Sequence, residues 1–175
     1  MTGTARPWMK WAIFTVPALL IAGLLSGYLA NSGYANLWFA RLVKPAFMPP
    51  AWVFPAVWTT LYVLMGIALA MVLSTPPSKA RRDALWLFGG QFALNLAWSP
   101  VFFRLHMIDV AMLFIVVMLL MAVFTAKYFR KLRAVAGWLM LPYLLWLCLA
   151  TALNYEVGKL NPGADAAPIG IIGAK

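Results

Sequence analysis

The side chains able to do chemistry are few, and no spacing among them makes a catalytic set. Cys148 is the only cysteine and falls inside an apolar run, so no disulfide can form within the chain and packing is its expected role. His106 is the only histidine and sits between Arg104 and Asp109 in a short polar break, where interfacial solvation is expected. One imidazole without a cluster of cysteines or carboxylates makes no typical zinc site, so no metal is expected. Glu156 lies near the end of an apolar run, and no run interior holds an ionisable residue, which argues against a proton-coupled pump. Neither a phosphate-binding glycine loop nor a dinucleotide fingerprint is present. What remains is a set of amides and aromatics at helical spacing, suited to binding.

The clearest stripe runs through residues 84–103. At about 100° per residue, Gln91, Asn95 and Trp98 fall at about 200°, 240° and 180° from Gly89, with Ser99 at the edge of the same face. Gly89, Ala93 and Ala97 lie nearly opposite and form a small-xxx-small surface for close helix contact, the better candidate for a homodimer face. Trp58 and Tyr62 are one turn apart in the preceding run, one turn after Pro55. Tyr143, Trp146, Ala150 and Asn154 are spaced three, four and four in the last run. Together these stripes can line a pocket for a large, flat, mostly apolar ligand, with indole N–H groups and amides as its polar anchors. Two blander readings fit the same pattern. Tryptophan concentrates at bilayer interfaces, which is the expected role of Trp8, Trp11 and Trp138, and Gln91 and Asn95 can serve as interhelical hydrogen-bond glue.

The elements that must position these residues follow from composition. Of 175 residues, 65% are hydrophobic and 10% charged, with a mean hydropathy of +0.87. A soluble domain carries about a quarter charged residues, and a disordered one lacks this apolar content. Five continuous apolar stretches, at about 11–30, 52–73, 84–103, 110–129 and 134–157, each approach the roughly 20 residues that span a bilayer as helix. Their continuity excludes an alternating transmembrane β-barrel. The first run is long for a signal peptide and lacks a clean cleavage site, so it is read as a retained helix. The expected fold is therefore an all-α integral membrane protein, a single bundle of five transmembrane helices. Residues 31–51 form a long, ordered loop rich in aromatics and proline, and 158–175 a flexible tail. The connection 31–51 is long enough to be functional, as a lid over one mouth of the bundle.

The net charge of +10 is distributed by side. Arg6, Lys10, Lys79, Arg81, Arg82, Lys127, Arg130, Lys131 and Arg133 fall on one side of the five-span arrangement. Arg41, Lys44, Arg104, Lys159 and Lys175 fall on the other. In a bacterial inner membrane this places the N-terminus in the cytoplasm and the C-terminus in the periplasm. The basic loops carry no nucleic-acid motif, and membrane lipid headgroups suffice as their partners.

Three segments carry a resemblance. Lys44-Pro45-Ala-Phe47-Met48-Pro49-Pro50-Ala-Trp52-Val-Phe-Pro55-Ala-Val-Trp58-Thr-Thr-Leu-Tyr62 resembles the tryptophan-rich sensory protein family, also called the translocator protein or peripheral benzodiazepine receptor family. So do Gln91-Phe-Ala-Leu-Asn95-Leu-Ala-Trp98-Ser99-Pro100-Val-Phe102-Phe103 and Pro142-Tyr143-Leu-Leu-Trp146 with Ala150-Thr-Ala-Leu153-Asn154-Tyr155. The likeness runs from about Trp11 to Asn161. One position departs: the family commonly has tryptophan where this chain has Phe47, which keeps a stacking face but has no indole N–H.

The resemblance implies a membrane receptor or sensor in the bacterial cell envelope, in either membrane, that regulates tetrapyrrole metabolism and stress response. It would bind porphyrins such as protoporphyrin IX, and isoquinoline carboxamide or benzodiazepine-type drugs, in a pocket under the first loop. Trp58 and Trp146 would be its polar anchors, with Trp38, Phe47, Trp52, Tyr62, Gln91, Asn95, Trp98, Tyr143, Ala150 and Asn154 around them. Porphyrin enters as ligand, and no cofactor is required. Two alternatives stand beside the sensor: a transporter of porphyrin or sterol, and a light-dependent porphyrin-degrading catalyst in which Trp38 takes part. A sterol-recognition pattern is met by Leu153, Tyr155 and Lys159, where interfacial anchoring explains the same residues.

Overall fold

The computed structural model describes residues 7–165, and among them every regular element is a helix. In chain order these are α1 (Pro7–Leu29), α2 (Leu37–Arg41), α3 (Val53–Leu73), α4 (Lys79–Phe103), α5 (Ile108–Leu132), α6 (Ala134–Trp138) and α7 (Leu141–Leu160). The chain beyond residue 165, which includes most of the expected tail, lies outside the described residues, as do Arg6 and Lys175 of the charge split.

Local chemistry sets the helix ends. Pro7 opens α1 at a position where its missing N–H costs nothing. The Asn36 side chain accepts from Phe39 N–H to cap α2, and Ser78 accepts from Arg81 N–H to cap α4. The last expected span is two helices rather than one. Pro142 has no N–H to offer the Trp138 carbonyl, so α6 stops and α7 begins with proline in its first turn. Where a single loop was expected between the first two spans, the chain forms a short helix, α2. The expected tail also begins late, because α7 continues through Leu160.

Four segments are long and apolar enough to cross a membrane: Pro7–Leu29, Val53–Leu73, Ile108–Leu132 and Ala134–Leu160. Helix α4 is as long as α5, at 25 residues, but four charged residues occupy its first turns and Gln91 and Asn95 its middle. It is the polar helix of the set.

The helices pack as antiparallel neighbours, α1 on α3 and α4 on α5, with α7 beside α5 and α1 also touching α4. Close approach of α1 and α3 depends on glycine. A Cβ on Gly23 would lie 2.2 Å from the Tyr62 ring, and one on Gly66 would lie 2.7 Å from Val16 Cα. The Thr15 hydroxyl donates to the Gly66 carbonyl at 2.7 Å, tying the same pair. The main core combines Leu61, Met65, Phe88, Ile115, Met118, Phe129, Tyr143 and Leu147. A second cluster of Trp38, Phe39, Phe102, Phe103 and Ile108 holds the other end together. Ile13, Phe14, Ile21, Leu113, Leu145 and Trp86 stand exposed, forming the apolar perimeter expected where lipid replaces water as solvent.

Candidate functional site

The three sequence stripes do meet. Tyr62 from α3 donates its hydroxyl to Asn95 Oδ1 of α4 at 2.9 Å, and Asn95 Nδ2 donates to the Tyr143 hydroxyl of α7 at 3.3 Å. Tyr143 in turn donates to Gln91 Oε1 at 2.7 Å. All four side chains are buried, so each bond is made where no water competes and an unmade one would be costly. Asn95 Nδ2 also lies 3.7 Å from Met118 Sδ of α5. The chain of bonds is directional and leaves one donor over: Gln91 Nε2 is buried without a partner among the described residues.

Aromatic rings lie against this network. Trp58 stacks on Tyr62 with centroids 5.4 Å apart and meets Trp146 edge-on at 6.3 Å and Tyr143 at 6.4 Å. Phe54 packs edge-on against Trp146 at 5.7 Å. Ala150 is half-buried against the same core. Beside these rings, the sparse contact between α3 and α7 leaves a groove of about 500 Å³. Ala56, Val57, Thr60, Leu61, Pro142, Leu145, Trp146 and Leu149 line it. Of the expected pocket residues, only Trp146 borders this groove.

The remaining expected residues lie elsewhere. Trp98 stacks on Phe102 at 4.9 Å and touches both clusters, and its Nε1–H is buried without a partner among the described residues. Trp38 is fully buried in the second cluster, edge-on to Phe102 at 5.3 Å. Asn154 is buried and donates to the Ile108 carbonyl at 3.0 Å, tying α7 to the start of α5. Phe47 and Trp52 are exposed and join neither cluster. In the sterol pattern Leu153 is buried, whereas Tyr155 and Lys159 are exposed, the latter 3.4 Å from Glu156. On the face expected from its small residues to make a helix contact, Gly89 and Ala93 are exposed and Ala97 half-exposed, and a Cβ on Gly89 would meet nothing within 4 Å. Cys148 is also exposed, so it packs against no core.

Several structural partners were not legible in the spacing. His106, expected to be merely solvated, stacks on Trp38 at 4.4 Å with the rings 12° from parallel. Its backbone takes φ 57°, in the left-handed region where the α4–α5 turn closes. Asn36 donates to the Phe103 carbonyl at 3.0 Å, fixing the start of α2 to the end of α4. Asn161 both accepts from Val43 N–H and donates to the Val43 carbonyl, each at 2.8 Å. Lys44 donates to the Phe39, Ala40 and Leu42 carbonyls at the end of α2, while burial pushes its ammonium below the ordinary lysine range. Asparagines near helix ends are the sequence signals for two of these contacts, those of Asn36 and Asn161.

Long apolar helices around a buried amide–tyrosine network, edged by tryptophans, define a multi-pass membrane protein with a polar seam in its interior. Residues 14–160 match the TspO/MBR family, and the chain belongs to that family. It is 38% identical over 154 residues to a tryptophan-rich sensory protein of Cereibacter sphaeroides, covering 87% of this chain and 94% of that protein. It is 37% identical over 127 residues to protein CrtK of Rhodobacter capsulatus, covering 72% and 79%. The similarity extends to animals: the translocator protein of Ovis aries is 34% identical over 161 residues, covering 91% and 94%.

Proposed function

We propose that the protein is a membrane sensor that binds a porphyrin, protoporphyrin IX or a related tetrapyrrole, against the aromatic cluster of α3, α4 and α7. The observation that carries this reading is the aromatic cluster in which Trp58 meets Trp146 at 6.3 Å, with Trp146 bordering the α3–α7 groove. A groove of about 500 Å³ falls within the range of about 300–1,000 Å³ typical of small-molecule sites. Flat ring faces suit a macrocycle, and Gln91 Nε2 and Trp98 Nε1–H would supply buried donors that have no partner among the described residues. Isoquinoline and benzodiazepine-type ligands would use the same surfaces. The ligand's role is regulatory, coupling tetrapyrrole levels to metabolism and stress response.

In this reading α4 is the fifth span, since 25 residues of helix reach about 37 Å against a hydrocarbon core of about 30 Å. Its amides face inward, where polar groups in a bilayer belong. Residues 31–51 act as a cover for one mouth, the exposed Gly89–Ala93–Ala97 face supports a homodimer, and the charge split supports a cytoplasmic N-terminus in an inner membrane. A second reading, transport of porphyrin or sterol, is favoured by one feature: the groove is rimmed by exposed Ala56, Thr60, Pro142 and Leu145 on the faces of α3 and α7. Photo-oxidative degradation through Trp38 draws less support, because Trp38 is enclosed with His106 and Phe102 in the other cluster. For sterol, the exposed Tyr155 and Lys159 offer contacts that buried Leu153 does not.

The test is a titration of the purified protein with protoporphyrin IX, following tryptophan fluorescence, with Trp58→Phe and Trp146→Phe alongside. Weaker binding in both variants is expected. Unchanged affinity in both overturns the assigned surface, and no saturable quenching in the unmodified protein overturns the porphyrin reading itself.

A further inference from the structure

The two ends of the bundle differ in charge far more than a count of basic residues conveys. Because α1 and α5 run in opposite directions, and likewise α3 and α4, the start of α1, the start of α4 and the end of α5 share one end. Phe88 of α4 stacks on Phe129 of α5 at 5.7 Å, which fixes that juxtaposition. Among the described residues this end collects Lys10, Lys79, Arg81, Arg82, Lys127, Arg130, Lys131 and Arg133 against a single acid, Asp83. The opposite end has Arg41, Lys44, Arg104 and Lys159 against Asp109, Glu156 and Asp165. One end is strongly positive and the other nearly balanced.

At the positive end Asp83 is already committed, to Lys79 at 3.0 Å and Arg82 at 3.9 Å. Lys127, Arg130 and Lys131 stand at i, i+3 and i+4 on one face of α5, a spacing at which like charges repel, and no acidic side chain among the described residues pairs with them. The negative end of the α5 dipole offsets some of this repulsion, but its reach is about one turn and the charges extend across to α4. Each of the three cations also lies over an aromatic ring. Lys127 is 5.4 Å from Phe124, Arg130 5.9 Å from Trp138, and Lys131 5.3 Å from Tyr128. Phe124 and Trp138 are exposed, so the cations sit where an apolar perimeter gives way to polar surroundings. In a membrane that depth is occupied by lipid phosphates. The corner is also tight. A Cβ on Gly137 would lie 2.5 Å from Arg130 Cβ and 2.8 Å from its Cα, so α6 folds directly over the last turns of α5 and holds the basic cluster compact.

We propose that this end of the bundle, from the start of α4 to the α5–α6 corner, is a binding surface for anionic phospholipid headgroups. Arg130 and Arg133 supply bidentate donors to a phosphate, Lys127 and Lys131 supply point charges beside it, and Trp138 and Phe124 contact the upper part of the acyl chains. Charge complementarity selects the occupant: a zwitterionic headgroup brings its own cation to the site, whereas phosphatidylglycerol brings net negative charge without one.

The test uses the full chain in phosphatidylcholine vesicles with trace spin-labelled phosphatidylglycerol or phosphatidylcholine, reading the relative association constant of the two probes by electron paramagnetic resonance. The constant for phosphatidylglycerol is expected to exceed that for phosphatidylcholine. It should fall towards equality between about 0.01 M and 1 M salt, as the screening length drops from about 30 Å to about 3 Å. Each basic residue removed should lower the preference by roughly fivefold. Combined Lys127→Gln, Arg130→Gln, Lys131→Gln and Arg133→Gln should abolish it, while Arg104→Gln at the opposite end should leave it intact. Arg133→Gln alone, outside the helical segments, keeps the test decisive if the combined variant does not fold. Equal constants in the unmodified protein, or a preference that survives in Arg133→Gln and the combined variant, would overturn the proposal. Complete displacement of the lipid probe by inorganic phosphate at constant ionic strength would also overturn it, because the site would then serve a soluble anion.

Discussion

The Tyr143 hydroxyl donates to Gln91 Oε1 at 2.7 Å, and both residues are fully buried. That bond, joined through Asn95 to Tyr62, links α3, α4 and α7 by side chains alone. Tyr143→Phe removes both the donor to Gln91 and the acceptor for Asn95 and leaves the Gln91 amide with neither end satisfied. A loss of about 1–2 kcal/mol is expected, read by chemical unfolding in detergent. Tyr62→Phe should cost less, because Asn95 Oδ1 then loses only the hydroxyl that donates to it.

Gly23 and Gly89 should respond oppositely to the same change. In Gly23→Ala the new methyl meets the Tyr62 ring, which must shift and strain its bond to Asn95, at a cost of about 1–3 kcal/mol. Gly89→Ala has open space and should stay within about 0.5 kcal/mol of neutral for the monomer. Gly89→Leu then probes the proposed homodimer: cross-linking in membranes should fall if that face pairs two copies and stay unchanged if it faces lipid.

The His106–Trp38 stack holds α2 against the α4–α5 turn. Since His106 has φ 57°, His106→Asn is the informative variant, as asparagine tolerates the left-handed backbone while removing the ring. Loss of a stacked aromatic pair is worth about 0.5–1.5 kcal/mol. Hydrogen exchange at Ala40 and Leu42, whose amides close α2, should accelerate, and exchange in the middle of α5 should not.

The two Asn161–Val43 bonds fasten the segment before α3 to the end of α7. Asn161→Ala should release it locally at a cost of about 1 kcal/mol, or roughly fivefold faster exchange at the Val43 amide. Asn161→Asp keeps the acceptor for Val43 N–H and loses the donor, so its exchange rate should fall between the two.

Much of the site was legible in the chain because helical periodicity is a strictly local property. Gln91 and Asn95 share a face of α4 wherever that helix sits, and the same holds for Trp58 with Tyr62 and for Tyr143 with Trp146. The reading of Gln91 and Asn95 as interhelical glue describes their bonds to Tyr143 and Tyr62 well. The break at Leu139–Met140 was hidden inside an unbroken apolar run, because hydropathy cannot distinguish one helix from two joined at a proline. Helix α2 was hidden too: five residues carry no measurable periodicity, and its order comes from Asn36 and Trp38 contacts with distant parts of the chain and from Lys44 bonds to its own last carbonyls.

The sequence by itself determined that the chain is helical and apolar, which residues share each helical face, and which family's motifs it carries. Tertiary structure alone decided which faces meet. In lipid the apolar surfaces of all helices are nearly equivalent as solvent-exposed groups, so partner choice falls to glycine contacts such as Gly23 with Tyr62 and to buried polar bonds such as Tyr143 with Gln91. It also decided where the acids lie. The sequence already divided the basic residues of the +10 chain by side, but only the folded structure shows which aromatic rings they lie against.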